Sequence, residues 1–98
     1  MRFQWDRIKA AENRQKHRAS FEEACTIFSD ASILSVHDQK HSGQEDRWVS
    51  MGMSIQGRIL VVVHSWPEPD EVDVEVVRII SARRANEHER ATYLERKI

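Results

Sequence analysis

The sequence predicts an α+β fold, a small antiparallel sheet with two helices before it and one after it. Three observations lead there. The apolar spacing is helical up to about residue 31 and extended from residue 32 onward. Two capping-box sequences, Ser20-Phe21-Glu22-Glu23 and Asn86-Glu87-His88-Glu89, mark helix starts on either side of the extended stretch. Finally, 98 residues with 40% apolar and 32% charged side chains, three Gly and two Pro suit one globular core, so a single domain is expected over residues 1–98.

Residues 2–5 read as a short N-terminal strand, and Asp6 as the N-cap of a helix reaching about His17. That helix is mostly polar. Lys9, Asn13, Lys16 and His17 follow i, i+4, i+7, i+8 spacing and so share a basic, hydrogen-bonding face. The second helix places Phe21, Ala24, Cys25 and Phe28 on one stripe, which should face a core. Strands are expected at Ile33, Leu34 and Val36, then over 48–53, 59–63 and 74–81. The short link 54–57 and the polar stretch 38–46 suit hairpins, so neighbouring strands should run antiparallel as a meander. The all-apolar run 59–63 predicts a central strand covered on both faces. Residues 66–73, with Pro67, Pro69 and four acids, read as a loop. The last helix should run to about Lys97 with a thin stripe of Ala91, Leu94 and Ile98, so it packs weakly and is open to a partner.

Composition excludes several classes. The lone Cys25 can make neither an internal disulfide nor a zinc knuckle, which points to a reducing compartment, the cytoplasm. The longest apolar run, five residues, falls short of the roughly seven to fifteen of a signal-peptide core and the ~20 of a membrane span, so no membrane association is expected. Charge is segregated. Residues 1–20 hold six Lys/Arg against two acids, 21–77 three against eleven, and 78–98 six against three. If the fold joins the two ends, they form a positive patch for a polyanion; otherwise they are an ordinary solvated surface.

Lys16 and His17 put a fixed ammonium beside an imidazole, a side chain type that titrates near neutral pH. RNA cleavage by 2'-hydroxyl attack needs a base, an acid and cations around the phosphate, and this pair with nearby arginines suits those roles. The same residues also complement a helix dipole. Arg83 and Arg84 precede a capped helix start and form the best anion site in the chain; extended geometry turns one away from the other, and Arg83 is favoured. Arg47 and Arg90, taken singly, read as surface cations. His37-Asp38-x-x-His41 is a weak metal signal without an obvious fourth ligand, and neither a metal nor a cofactor is expected. His64 reads as a satisfied edge residue, His88 as exposed, and Trp48 and Trp66 as core, interface or base-stacking groups. A Gly-rich phosphate loop, a nucleophile elbow and a Cys-His pair are all missing.

Several segments together resemble the BrnT toxins of bacterial type II toxin-antitoxin modules. They are Phe3-x-Trp5-Asp6 with Lys9 and Asn13, Lys16-His17, Ser20 to Ala24, the run Leu60-Val61-Val62-Val63-His64, and Arg78-Ile79-Ile80-Ser81-Ala82-Arg83-Arg84-Ala85, with Glu89-Arg90 and Tyr93. The resemblance spans nearly the whole chain. It implies a RelE-like ribonuclease fold and metal-independent RNA cleavage that blocks translation and growth. A BrnA-like ribbon-helix-helix antitoxin is implied too, which neutralises the toxin and carries it to operator DNA. Lys16, His17, Arg47, Arg83, Glu89 and Tyr93 match as catalytic positions, and Lys9, Asn13, Arg84 and Arg90 as RNA-contacting ones. Two departures stand out: Arg18 replaces the usual Gly after Lys-His, and residues 65–75 look longer and more acidic than in the family. A catalytically degenerate co-repressor that binds the antitoxin is the second reading.

Overall fold

In the computed structural model, which describes residues 1–41, 43, 46–66, 68–69 and 75–96, the elements follow in a simple order. They are β1 (Arg2–Gln4), α1 (Arg7–His17), α2 (Phe21–Cys25), a 3-10 turn (Thr26–Ser29), β2 (Leu34–Asp38), β3 (Arg47–Met53), β4 (Ile59–Ser65), β5 (Glu68–Pro69), β6 (Glu75–Arg84) and α3 (Glu87–Arg96). The expected strand start at Val74, the helix end at Lys97 and Ile98 lie outside the described residues, as does most of the expected acidic loop.

The sheet order is β1-β6-β4-β3-β2. From β2 through β3 and β4 to β6 the neighbours are antiparallel, as expected. The expectation of an antiparallel sheet throughout is corrected at β1, which pairs parallel with β6, Arg2 opposite Val76 and Gln4 opposite Arg78. Residue periodicity reports burial and not strand direction, and nearly the whole chain separates β1 from β6, so no hairpin constrains their sense. The short β5, inside the segment read as a loop, pairs Glu68 with Val76 on the flank of β6 away from β1. Between Val63 and His64 the register on β6 jumps from Ser81 to Ile79, a bulge that skips Ile80.

Alternation sends Leu60 and Val62 of β4, with Val77, Ile79 and Ala82 of β6, toward Ala19, Phe21, Ala24 and Ile27, and these form the core. Each large side chain buried here stabilises the fold by roughly 1.5–3 kcal/mol. The second helix stops at Cys25, so Phe28 enters through the 3-10 turn, where its ring meets Phe3 at 5.5 Å and His64 at 4.9 Å. Gly52 permits this close packing, since a Cβ there would lie 3.1 Å from Ile27 Cβ.

Asp6 caps α1 as expected, accepting from the N–H groups of Ile8 and Lys9 at 2.8 and 3.0 Å. Ser20 caps α2 by accepting from the Glu23 N–H at 3.0 Å. His64 is wholly buried instead of lying at an edge. Its Nδ1 is 2.8 Å from the Ser65 carbonyl, which can only accept, so Nε2 is the acceptor for the Ser50 hydroxyl at 2.6 Å. On the opposite face, Ile59 and Val61 are buried, while Val36 on β2 is exposed.

Candidate functional site

A polar helix needs a reason to stay on its sheet, and α1 finds it in Asn13, its one buried residue among those described. The Asn13 amide donates to the carbonyls of Ala82 at 2.8 Å and Ala19 at 3.0 Å, and its Oδ1 accepts from the Ala82 N–H at 3.1 Å. The carboxamide thus stands in for a neighbouring strand where β1 has ended and the edge of β6 is otherwise unpaired. Asp6 lies beside Arg78 and Asn13 beside Ala82, so α1 runs along β6 in the same direction. His17, four residues on, lies about 6 Å further along the helix. Lys16 and His17 therefore come level with Arg83 and Arg84, at the end where α3 begins. The basic residues of the two chain ends thus lie toward the same end of the sheet.

Arg18 closes α1 in the left-handed conformation, φ 55° and ψ 33°, and its N–H donates to the Arg14 carbonyl at 2.8 Å. For a non-glycine residue that conformation costs roughly 1–2 kcal/mol. The turn next to His17 is nevertheless of the kind a glycine would make, with the Arg18 carbonyl accepting from Arg58 Nη2 at 3.2 Å. Arg58 also binds the buried Glu23 through Nε at 3.0 Å and through a short Nη2–Oε1 contact, and Ser54 donates to the same carboxylate at 2.7 Å. Arg58 holds the Glu23 carboxyl below its usual range. Glu23 is thus diverted from the capping box expected of it. Sequence reasoning missed the pair, because residues 35 apart in the chain show no local pattern.

Arg83 and Glu89 form a two-pronged ion pair, Nη1–Oε1 2.8 Å and Nη2–Oε2 2.9 Å. Glu89 also accepts from the Asn86 N–H at 2.9 Å, and its own N–H donates to Asn86 Oδ1 at 2.8 Å, which completes the expected box at the start of α3. The Arg83 guanidinium, aided by that N–H, pushes the Glu89 carboxyl down to about 2. One carboxylate therefore caps a helix and grips a guanidinium. Arg83, the arginine favoured for an anion, has its fork engaged by Glu89, while the exposed Arg84 forms no ion pair among the described residues.

Other expected site residues fall elsewhere. Arg47 pairs with Ser65, whereas Arg83 pairs with Val61. The offset is about 13 Å along the strands and about 10 Å across them. Tyr93 is fully buried, and its hydroxyl donates to Asp30 Oδ2. Burial, then Asp30, pushes that phenol up to about 12, so it pins α3 as a neutral group. Asn13, expected on an RNA-facing surface, is engaged by backbone, and Lys9 is exposed near the start of α1. Arg90 is exposed on α3. His41 pairs with Asp38 at 3.0 Å and His37 with Asp46 at 3.4 Å, so the two imidazoles serve different carboxylates. Among the described residues, no helix is long and apolar enough to cross a membrane.

A family model for the ribonuclease toxin BrnT of type II toxin-antitoxin systems matches residues 5–89. Among solved structures, the crystal structure of the Brucella abortus ribonuclease toxin BrnT is similar, with 22% identity and a TM-score of 0.62 over 89% of this chain and 99% of that one. At that identity the likeness speaks for the fold. Comparison with curated proteins gives no match.

Proposed function

This chain belongs to the BrnT family of ribonuclease toxins of type II toxin-antitoxin systems, and from that membership we propose that it cleaves RNA without a metal ion at the end where α1 meets β6. The 2'-hydroxyl loses its proton to His17, its oxygen bonds to the adjacent phosphorus, and the bond to the 5'-oxygen breaks. That oxygen regains a proton from water or Lys16. The products are a 2',3'-cyclic phosphate and a 5'-hydroxyl. Lys16, Arg83 and Arg84 supply positive charge around the phosphate oxygens as negative charge builds. Glu89, at about 2, is too weak a base to take part and instead orients Arg83. Asn13 and Tyr93 act as positioning residues through α1 and α3. Lys9 and Arg47, away from that end, suit phosphates flanking the cut.

The observation that supports this most is the Asn13–Ala82 pairing, which runs α1 along β6 toward the end that carries Arg83 and Arg84. Purified protein incubated with messenger RNA in EDTA should yield fragments ending in 2',3'-cyclic phosphate. His17→Ala and Arg84→Ala should each slow cleavage by about 10²-fold or more. Equal cleavage by both variants rejects the site.

A type II toxin implies an antitoxin. The proposed partner is a BrnA-like ribbon-helix-helix protein, through which alone the toxin would reach operator DNA, with RNA cleavage in the cytoplasm halting translation and growth. The degenerate co-repressor reading drew on Arg18, and the left-handed turn that Arg18 keeps weakens that motive. Expressing the chain alone in a bacterium separates the two: arrest relieved by the neighbouring gene supports the nuclease, harmless expression the co-repressor.

A further inference from the structure

Beyond the paired Arg83, the same end of the molecule holds a cavity of about 250 Å³ lined by Arg58, Arg84 and Arg90 together with Met53, Ile59 and Leu94. Its three cations come from the β3–β4 turn, the end of β6 and α3, so only the folded chain assembles them. Arg58 is held by buried Glu23. Arg84 and Arg90 have no ion pair or side-chain hydrogen bond among the described residues. Arg84 also feels the charge of Glu23, yet both forks keep their donors open, and two open guanidinium forks in one concavity suit an anion. The rest of the lining is largely apolar, and Leu94, one turn after Arg90 on α3, is 47% exposed.

We propose that this cavity is a nucleotide subsite of the RNA-binding surface, in which Arg90 grips the backbone phosphate next to the cut, Arg84 bridges that phosphate and the scissile one, and the base lies against Leu94 and Met53. The proposal rests on the ribonuclease reading for its ligand. Its volume is below the roughly 300–1,000 Å³ of pockets for drug-sized ligands, which suits one nucleotide. Guanidinium forks match phosphate oxygens, and guanidinium planes and aliphatic side chains accept the face of any base. The subsite adjoins the proposed cleavage end directly, since Arg84 follows Arg83 in the chain. It also gives the Arg83–Glu89 pair a purpose, because the docking of α3 is what brings Arg90 and Leu94 to the cavity.

The test is binding of a 2'-O-methyl RNA oligonucleotide, which lacks the attacking hydroxyl, measured by fluorescence anisotropy across a salt series. Arg58 is left intact because it neutralises buried Glu23. The double variant Arg84→Gln/Arg90→Gln should bind at least tenfold more weakly, with a salt slope shallower by about 0.7 for each phosphate no longer gripped. A control with the same charge change, Arg7→Gln/Lys40→Gln, should stay within twofold of the parent. Leu94→Ser should weaken RNA binding and leave inorganic polyphosphate binding unchanged, because polyphosphate has no base. Unchanged RNA affinity in the arginine double variant overturns the subsite, as does an equal loss in the control. Competition by free adenosine or guanosine monophosphate at the concentration effective for the oligonucleotide would reassign the cavity to a free nucleotide. If the parent binds the oligonucleotide as expected but cleaves no RNA, the subsite stands and the ribonuclease reading fails.

Discussion

Asn13 shows how much one side chain can decide. A residue that looks like a polar surface position bonds both backbone groups of Ala82 and the carbonyl of Ala19. Truncation would leave buried donors and acceptors unmatched, each costing about 1–3 kcal/mol. Asn13→Ala is therefore expected to destabilise the protein by about 2–4 kcal/mol in urea unfolding, and a change under 1 kcal/mol would contradict the strand-substitute role. Arg18 works in the other direction. Its φ of 55° is ready-made for glycine, so Arg18→Gly should raise stability by about 1 kcal/mol in the same assay. A decrease would mean that the arginine side chain stabilises the turn by more than its left-handed backbone costs.

At the scale of elements, α1 and α3 are tied down by few interactions of very different kinds. The first is fastened through one carboxamide at a sheet edge. For α3 the anchors are the Glu89 carboxylate in its first turn and the buried Tyr93 ring one turn later. The Glu89 carboxyl, ordinarily at 4.5, is down at about 2 in the fold. A depressed acid contributes stability that is complete above its unfolded value and disappears as pH falls toward the folded one. The hydrogen-exchange protection of α3, taken relative to the intrinsic exchange rate at each pH, should thus be steady above pH 5 and fall between about pH 4.5 and 2. Glu89→Gln should remove most of that dependence. A profile identical to the parent's would show that another group holds the helix.

For the molecule as a whole, the sheet separates two surfaces with different work. One face, under α2 and the 3-10 turn, holds the core and the buried His64. Burial keeps the His64 imidazole below its usual 6.5. The unfolded chain then binds this proton more readily than the fold, so the contribution is complete above pH 6.5 and is lost as pH falls toward the depressed folded value. Global stability should begin to fall on acidification from about pH 6.5, before the carboxylates titrate. His64→Gln should flatten this slope in urea titrations at pH 7 and pH 5.5; an unchanged slope would point to another histidine.

Local chemistry was written plainly in the chain. Asp6, Ser20 and the Asn86–Glu89 box announced where helices start, because a cap and its targets lie within three residues of each other. The unbroken apolar run 59–63 likewise marked β4 as the buried centre, and the ordered set of segments around Lys16-His17 and Arg83-Arg84 pointed to the family that the match over 5–89 establishes. Tertiary packing alone decided the rest: that β1 adds parallel to β6, that Asn13 turns inward, that Arg83 rather than Arg84 is engaged by Glu89, and that Arg47 lies far from both. The reason is physical. A cap or a stripe is specified by neighbours in sequence, whereas strand sense, ion-pair partners and the contents of a shared cavity depend on which distant surfaces come to rest together.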